Sequence, residues 1–462
     1  MTSSFAALAI DPRDPNVVYA GNRSWVAAGL YKTTDGGGRW TLITVGGKQG
    51  NTGLGWITMW GFNVECLSLS PANPDCLAFG TSGLVFVSTD AGRTWQQRSS
   101  RSLPDGRFAG TGLEVTRMNS IVCDPSRTDR RYYCYADIGL LISDDDGRTF
   151  RRSFQGMKNV GNCFTVVADP ELPATLWAGT GWWEHDAGDV CLSEDDGQTW
   201  QVVGRPETGL PDGQTRHLVL DPRSPAGKRH LIVTCQDHGI YESRDGGRNW
   251  SCISGDLPAG AFRSPAGLLL HANDSNRLTF AAGGSPRKGG GVYGTNDGGQ
   301  TWRRLYDESP LAEIQCLACD PHHPDVFYLG AREYFDNATK HLHPGGLFKS
   351  SDGGSTWRCV LEDRFVKAVA VSPANSQVIY AGTNDYPYHD DSPAAGVLKS
   401  VDGGVTWHLE NHGLSLRNIQ SITIDPGDPS RIYLGTLGNS VHIGEDSAIG
   451  KSRQGGGDGS RQ

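Results

Sequence analysis

Short apolar segments recur along the chain in pairs, and a turn that contains proline separates the two members of most pairs. The plan is clearest in residues 8–21 (LAIDPRDPNVVYAG), 67–80, 317–330, 369–382 and 422–435. Proline cannot donate a hydrogen bond to a sheet, so it marks the point where the first strand of each pair ends. The pattern therefore predicts repeated pairs of antiparallel strands, each ending at a glycine.

A second motif follows each of the first eight pairs after a loop of variable length. Its pattern is Ser/Thr-x-Asp-x-Gly-x-Thr-Trp, and its central aspartates are Asp35, Asp90, Asp145, Asp195, Asp245, Asp297, Asp352 and Asp402. Successive aspartates are 50 to 55 residues apart. A constant period of about fifty residues is typical of propellers and solenoids. With two further short strands flanking this motif, the sequence predicts an all-β protein built from four-stranded antiparallel blades, a β-propeller.

The motif resembles the Asp-box, or BNR, repeat of the sialidase-like propeller superfamily, which includes sialidases, xyloglucanases and sortilin-type receptors. The resemblance covers residues 5–445. It implies a hairpin between the third and fourth strands in which the aspartate accepts hydrogen bonds from the turn, glycine permits positive φ and the aromatic residue packs between blades. A group repeated eight times at equal spacing is scaffold, so we interpret the eight aspartates as structural.

The number of blades is less regular than the spacing. Nine strand pairs precede only eight Asp-boxes, because the ninth repeat ends in SVHIGED. We predict a single propeller domain over residues 1–446, with eight or nine blades. The glycine-rich residues 447–462 are expected to form a disordered tail.

Composition excludes several classes of function. The net charge is −9 and no basic run is present, which argues against nucleic-acid binding. No apolar run reaches the roughly 18 residues of a membrane span. The first fifteen residues lack the features of a secretory signal, so the compartment is open between cytoplasm and secretion after removal of a leader.

The chain has eleven cysteines, most of them within apolar segments. We predict buried free thiols in strands rather than a disulfide framework. Examples are Cys66, Cys123 and Cys235. The pair Cys316 and Cys319 is expected in the core, because residues three apart on a strand point to opposite faces.

Aromatic side chains outside the repeat motif cluster in the long loops that a propeller places opposite the Asp-boxes. They are Trp25, Trp56, Trp60, Trp182, Trp183, Tyr334, Tyr386 and Tyr388. Sugar rings pack their C–H faces on aromatic planes, so the cluster favours a carbohydrate ligand over simple packing between loops. Glu65 and His389 complete this predicted sugar-binding set, and a protein partner remains an alternative.

A ring of side chains is predicted where the first strands enter the channel, six positions before each turn proline. Its members are Glu65, Asn119, Arg216, Gln315, Lys367 and Gln420, with Ala6, Phe164 and Ala266 at the remaining places. Arg216 and Lys367 are suited to an acidic sugar. A water-filled mouth is the alternative.

Hydrolysis of a glycosidic bond needs two carboxyl groups flanking it. Candidates in the long loops are Glu184, Asp186, Glu333, Asp336, Asp385, Asp390 and Asp391. The preferred pair is Glu333 or Asp336 opposite Asp385 or Asp390, because these lie in neighbouring repeats. A lyase would instead use His389 or Tyr386 as base beside Lys367. We predict no cofactor and no metal, although His341, His343 and His389 with Asp390 form a weak candidate.

Comparison with families of the superfamily leaves the activity open. Sialidases carry Phe/Tyr-Arg-Ile-Pro near the N-terminus, whereas the nearest string here is FRSP at 262–265. Xyloglucan-cleaving members use two propellers with an aspartate from each, and YAGNRSW at 19–25 lacks the expected acidic residue. The leading hypothesis is a glycoside hydrolase acting on a polysaccharide or oligosaccharide. The alternatives are a non-catalytic binding or assembly propeller and, third, a polysaccharide lyase.

Overall fold

The chain is almost entirely β-structure. The structure, a computed structural model, describes residues 4–23, 29–44, 52–53, 63–81, 84–111, 116–182, 187–284, 288–306, 313–385 and 394–446. The short 3-10 helices Pro206–Thr208 and Ala259–Arg263 lie between strands. No helix within these ranges has the length and apolar character that crossing a membrane requires. The predicted all-β fold of antiparallel four-stranded sheets is confirmed.

The chain forms two compact units. The first unit comprises residues 1–116, 147–152 and 438–440, and the second comprises residues 117–146, 153–437 and 441–462. The boundary of one domain over 1–446 stays a prediction.

Two repeats build the first unit. The first repeat pairs in chain order as β1 (Ser4–Ile10), β2 (Val18–Arg23), β3 (Gly29–Thr33) and β4 (Thr41–Leu42). The second repeat contains β5 (Thr52–Gly53), β6 (Cys66–Leu69), β7 (Leu77–Gly80), β8 (Val85–Ser88) and β9 (Trp95–Gln97), paired in the order β5-β9-β8-β7-β6. A small hairpin follows, made of β10 (Ser100–Ser102) and β11 (Phe108–Gly110).

Seven repeats build the second unit, each as one sheet in chain order. The first three are β12 (Met118–Cys123), β13 (Arg131–Tyr135), β14 (Gly139–Ser143) and β15 (Arg151–Ser153); β16 (Asn162–Ala168), β17 (Leu176–Gly181), β18 (Val190–Ser193) and β19 (Gln201–Gly204); and β20 (Thr215–Leu220), β21 (Leu231–Cys235), β22 (Gly239–Ser243) and β23 (Ser251–Cys252). The fourth is β24 (Pro265–His271), β25 (Asp274–Ala282), β26 (Gly291–Thr295) and β27 (Arg303–Arg304).

The last three sheets carry most of the loop candidates. The fifth contains β28 (Ile314–Cys319), β29 (Phe327–Ala331), β32 (Gly346–Ser350) and β33 (Arg358–Leu361), with the hairpin β30 (Tyr334–Asp336) and β31 (His341–His343) inserted after β29. The sixth is β34 (Val366–Val371), β35 (Ile379–Thr383), β36 (Val397–Ser400) and β37 (His408–Leu409). The seventh has three strands, β38 (Ile419–Ile424), β39 (Arg431–Thr436) and β40 (Val441–Glu445).

The seven sheets of the second unit close into a ring. The first strand of each sheet contacts the first strand of the next, and β38 contacts β12. Apolar side chains fill the space between neighbouring sheets; Tyr132 and Ile142, for example, pack in one buried cluster with Val166 and Leu176. Of the nine predicted repeats, all fold as sheets, and seven of them form this closed propeller.

The Asp-box turns have the geometry expected of a structural motif. Asp402 accepts hydrogen bonds from the Ser400 hydroxyl at 2.8 Å and the Thr406 N–H at 2.9 Å, and Gly403 has φ of 74°. Trp407 donates its indole N–H to the Val360 carbonyl of the preceding sheet at 2.7 Å. The same hydroxyl-to-carboxylate bond occurs at Asp35, Asp90, Asp145, Asp195, Asp245, Asp297 and Asp352.

These hydrogen bonds favour the ionised carboxylate. The side chain of Thr301, followed by its N–H, lowers the pKa of Asp297 to about 2. The ionised aspartates therefore act as hydrogen-bond acceptors that stabilise the turns.

All eleven cysteines are free thiols, but they are not all buried. Cys134, Cys163, Cys191 and Cys235 lie in the core, whereas Cys66, Cys252 and Cys359 are exposed. The expectation for Cys66 was wrong because alternate residues of β6 point to the exposed side of that strand. Cys123, Cys316 and Cys319 are half-buried rather than fully in the core.

Candidate functional site

The strand pairing fixes which loops share an end of the second unit. Met118 pairs with Tyr135 and Val366 with Thr383, so each first strand begins where its second strand ends. Arg131 pairs with Ser143, which places the Asp-box turns at the other end of the sheet, with the turns between first and second strands. The loops between second and third strands and those leading into first strands therefore lie on one face, which we call the loop face.

A cavity of about 280 Å³ opens where the seven first strands converge. Seven residues of the predicted ring line it: Asn119, Phe164, Arg216, Ala266, Gln315, Lys367 and Gln420. In every one of these strands the register of pairing shifts at this position, as between Thr215 and His217 around Arg216. A β-bulge re-aims the side chain of the extra residue. The bulges account for the presence of these seven side chains around one cavity.

Three cationic side chains lie in this cavity: Arg117, Arg216 and Lys367. The residues described around it include no aspartate or glutamate. Burial, and then the charge of Arg117, lower the pKa of Lys367 to about 8. The same two causes lower the pKa of Arg216 to about 10. Like charges repel in a partly desolvated site, so the charge of Arg117 makes the protonated forms of Arg216 and Lys367 less favourable.

Neutral groups hold each of the three cations. Arg216 donates from Nε to Gln236 Oε1 at 2.5 Å and from Nη2 to Gln214 Oε1 at 2.6 Å, and its guanidinium lies 4.9 Å from the centre of the Phe164 ring. Lys367 Nζ donates to Gln315 Oε1 at 3.1 Å. Arg117 Nε donates to Asn119 Oδ1 at 3.2 Å. The cations are oriented by amides and an aromatic ring, and among the described residues none of the three forms a direct ion pair.

The other end of the first strands has a different character. A cavity of about 540 Å³ there is lined mainly by apolar side chains such as Val166, Leu218 and Leu270. His217, which borders the cationic cavity, stays neutral near pH 7 because burial lowers its pKa to about 4. Three cations line the cavity at the loop face, whereas the described lining of the apolar cavity includes one, Arg223, which is ion-paired with Asp221 at 3.0 Å.

A second polar group on the loop face involves the fifth and sixth sheets. Glu333 follows β29, and its carboxylate lies 3.1 Å from the guanidinium of Arg364 in the loop that leads into β34. The Glu333 N–H donates to the Arg364 carbonyl at 2.7 Å, which fastens the two segments together. Asp363, the neighbour of Arg364, is half-buried, and burial raises the pKa of its carboxyl although the Phe365 N–H donates to it.

The remaining described candidates have contacts of a more structural kind. Asp336 is buried and accepts the Ala338 N–H at 2.9 Å within the β30–β31 hairpin. Tyr334 stacks on His343 with the ring centres 6.0 Å apart. Asp385 accepts the Ala394 N–H, and its own N–H donates to Asn418 Oδ1 at 3.0 Å.

Two more of the predicted sugar-binding residues are among the described residues, and the carbonyl of one, Trp182, accepts a hydrogen bond from Gln214 Nε2 at 2.5 Å. Trp182 is 46% exposed and stands at the end of β17. Glu65 belongs to the first unit, where it pairs with Arg23. The candidates that lie outside the described residues are Trp25, Trp56, Trp60, Trp183, Glu184, Asp186, Tyr386, Tyr388, His389, Asp390 and Asp391.

Sequence reasoning missed two residues of these groups, Arg117 and Asp363. Arg117 lies two positions before the bulged Asn119, outside the alignment that identified the ring. Asp363 lies in a short loop whose composition did not indicate a functional site. Comparing the three residues that precede each first strand would have included both.

Comparisons with known proteins agree with this architecture. No protein-family model matches the chain. A xyloglucanase of a Paenibacillus species is 26% identical over 469 residues, which cover 95% of this chain and 42% of the relative. This chain thus spans less than half of that relative's length.

Solved structures show the same fold. The GH74 xyloglucanase of Xanthomonas campestris superposes with a TM-score of 0.62 and 18% identity, covering 96% of this chain and 59% of that protein. YCF48 from Cyanidioschyzon merolae gives a TM-score of 0.50 and 15% identity, covering 75% of this chain and 98% of that protein. These findings confirm the resemblance of the chain to the β-propeller superfamily that includes the xyloglucanases.

Proposed function

We propose that the chain is a carbohydrate-active propeller, a glycoside hydrolase, whose site lies on the loop face of the second unit. The observation that carries the proposal is the group formed by Glu333, Arg364 and Asp363. It combines an ion-paired carboxylate with a second carboxyl group whose pKa burial raises. The similarity of the sequence to a xyloglucanase over almost the whole chain supports the same reaction class.

The two carboxyl groups suit different roles. Asp363 holds its proton to a higher pH than an ordinary aspartate, as a general acid must when it protonates the leaving oxygen. Glu333 is ion-paired with Arg364 and offers the carboxylate that acts as base or nucleophile. Since the backbone of Glu333 is hydrogen-bonded to the residue next to Asp363, both carboxyl groups project from adjoining backbone.

The earlier candidates keep different places in this proposal. Glu333 stays central, while Asp336 is engaged in its own hairpin. Asp385 and Asp390 remain proposed as opposing carboxyl groups from the sixth sheet. Trp56, Trp60, Trp182, Trp183, Tyr334, Tyr386, Tyr388 and His389 remain proposed contacts for sugar rings.

The test is incubation of the full chain with neutral and acidic polysaccharides, xyloglucan among them. New reducing ends and ultraviolet absorbance are read in the same wells. Reducing ends without absorbance support a hydrolase, whereas absorbance from new double bonds indicates a lyase. Binding without either product indicates a non-catalytic propeller.

A further inference from the structure

The carboxyl groups of the proposed reaction do not line the cationic cavity, and its charge indicates that it binds a separate ligand group. Its three cations, Arg117, Arg216 and Lys367, come from the first, third and sixth sheets of the ring. Bringing like charges together in a half-buried space is unfavourable unless an anion balances them. A channel mouth that only held water would need no more than amides such as those of Gln315 and Gln420.

Other buried arginines of the second unit show how this fold satisfies a cation that has a structural role. Arg229 is fully buried and meets Asp169 at 2.7 Å. Arg131 is equally buried and is paired with Asp425. The cations of the cavity differ because their hydrogen-bond partners are the neutral oxygens of Asn119, Gln214, Gln236 and Gln315.

The net charge of the groups that act at the cavity indicates the charge of the ligand. Asp137 acts on Arg117 through space, and Asp237 acts on Arg216 in the same way. Arg332, which is ion-paired with Glu313 at 3.0 Å, acts on Lys367 in the same way, so among the described residues four cations and three carboxylates act at the cavity and leave one positive charge. This excess matches one carboxylate group, and guanidinium groups bind carboxylates in planar, paired geometry.

The size of the cavity and its neutral lining residues indicate the size of the ligand and its other polar groups. The volume of about 280 Å³ lies just below the range for drug-sized small-molecule sites, about 300–1,000 Å³, and suits one small ring rather than a chain. Amides from Asn119, Gln315 and Gln420 stand around the cations, and they can donate to or accept from hydroxyl groups.

We infer that this cavity binds a single uronate residue, a sugar that carries a carboxylate. The carboxylate lies among Arg117, Arg216 and Lys367, and the amides contact the hydroxyl groups. This inference rests on the proposed function for the class of ligand, a carbohydrate, and adds its charge. Binding of a uronate distinguishes the chain from an enzyme that binds only neutral glycans.

Calorimetric titration of the full chain tests the inference with glucuronate, galacturonate, their neutral parents glucose and galactose, and acetate. The expected result is that one uronate binds at least about tenfold more tightly than its neutral parent. Lys367→Met and Arg216→Gln should each weaken uronate binding about tenfold or more, a change typical of losing one charge-assisted contact. Lys349→Met is the matched control, because Lys349 is also half-buried but bonds to the Gly403 carbonyl at the Asp-box end.

Each outcome separates the inference from the proposed function. Equal binding of uronate and neutral sugar, or uronate binding that Lys367→Met leaves intact in a folded variant, overturns the inference. Acetate that binds as tightly as uronate also overturns it, because the sugar ring then contributes nothing. Hydrolysis of neutral polysaccharides without uronate binding overturns this inference alone. Uronate binding that depends on Lys367, with no polysaccharide cleaved, supports it and overturns the hydrolase. Thermal unfolding of each variant verifies that it is folded.

Discussion

Thr423 Oγ1 donates a 2.7 Å hydrogen bond to the carbonyl oxygen of Ile121, although 302 residues separate the two in the sequence. The bond joins β38 to β12, and so it links the last sheet of the ring to the first. Similar bonds join earlier neighbours: Ser120 Oγ donates to the Phe164 carbonyl at 2.9 Å. Side-chain hydrogen bonds between the first strands of neighbouring sheets therefore help to hold the ring closed.

Thr423→Val is expected to destabilise the second unit by about 1 kcal/mol, because it removes one hydrogen bond while preserving side-chain shape. Ser421→Ala on the same strand is the control. Ser421 Oγ is buried with no hydrogen-bond partner among the described residues, so its removal should leave stability unchanged or raise it. Urea unfolding of both variants measures the difference. Equal losses in the two variants would show that the Thr423 bond does not contribute to closure.

The sequence predicted the repeats far better than it predicted how they assemble. A period near fifty residues and eight Asp-boxes were enough to place nine sheets, because each repeat carries its own turn and strand signals. Closure depends on which inner strands touch, as β38 touches β12, and no local pattern encodes that contact. The count of eight or nine therefore did not anticipate a ring of seven in the second unit.

The candidate site was predictable to a similar extent. Alignment to the turn proline found Arg216 and Lys367, since the bulge recurs at the same position in each inner strand. Arg117 escaped because it precedes the bulge by two residues. Asp363 escaped because its distinguishing property, burial that raises its pKa, exists only in the folded chain.

Replacement of the two carboxyl groups on the loop face should reduce hydrolysis. Asp363→Asn and Glu333→Gln are each expected to lower kcat at least about a hundredfold, since general acid–base catalysis contributes about 10²–10⁴. Glu362→Gln is the matched control, because Glu362 is exposed and adjacent to Asp363. The measurement is release of reducing ends from whichever polysaccharide the wild type cleaves. Full activity in both variants would move the catalytic pair to other loops.

Acidification should weaken the second unit through a buried histidine. His271 is buried, its Nε2 lies 3.1 Å from Thr279 Oγ1, and burial lowers its pKa from the ordinary 6.5 to about 4. Between these two pH values the unfolded chain binds a proton that the folded chain does not. Stability therefore falls as the pH drops from 6.5 to 4, by at most about 1.4 kcal/mol per pH unit for this group.

His271→Gln should make that fall shallower, because glutamine retains a hydrogen-bonding group and does not titrate. Chemical unfolding at several pH values between 6.5 and 4.5 measures the slope. His408→Gln provides the control, since His408 is exposed. A slope that His271→Gln leaves unchanged would mean that His271 is protonated in the folded chain at these pH values.

Alkaline pH should release a ligand held by Lys367. Burial and the charges of Arg117, Arg216 and Arg332 lower the pKa of this amine to about 8, while Cys316 opposes the shift. Below pH 8 the free cavity carries the Lys367 charge, and above it that charge is progressively lost, so uronate affinity should fall as the pH rises from 7 to 9.5. Arg216 has a pKa of about 10 and keeps most of its charge over this interval. Dissociation constants measured across the interval should rise for the wild type and stay flat for Lys367→Met. A wild-type affinity that is constant to pH 9.5 would show that Lys367 either stays protonated or does not contact the ligand.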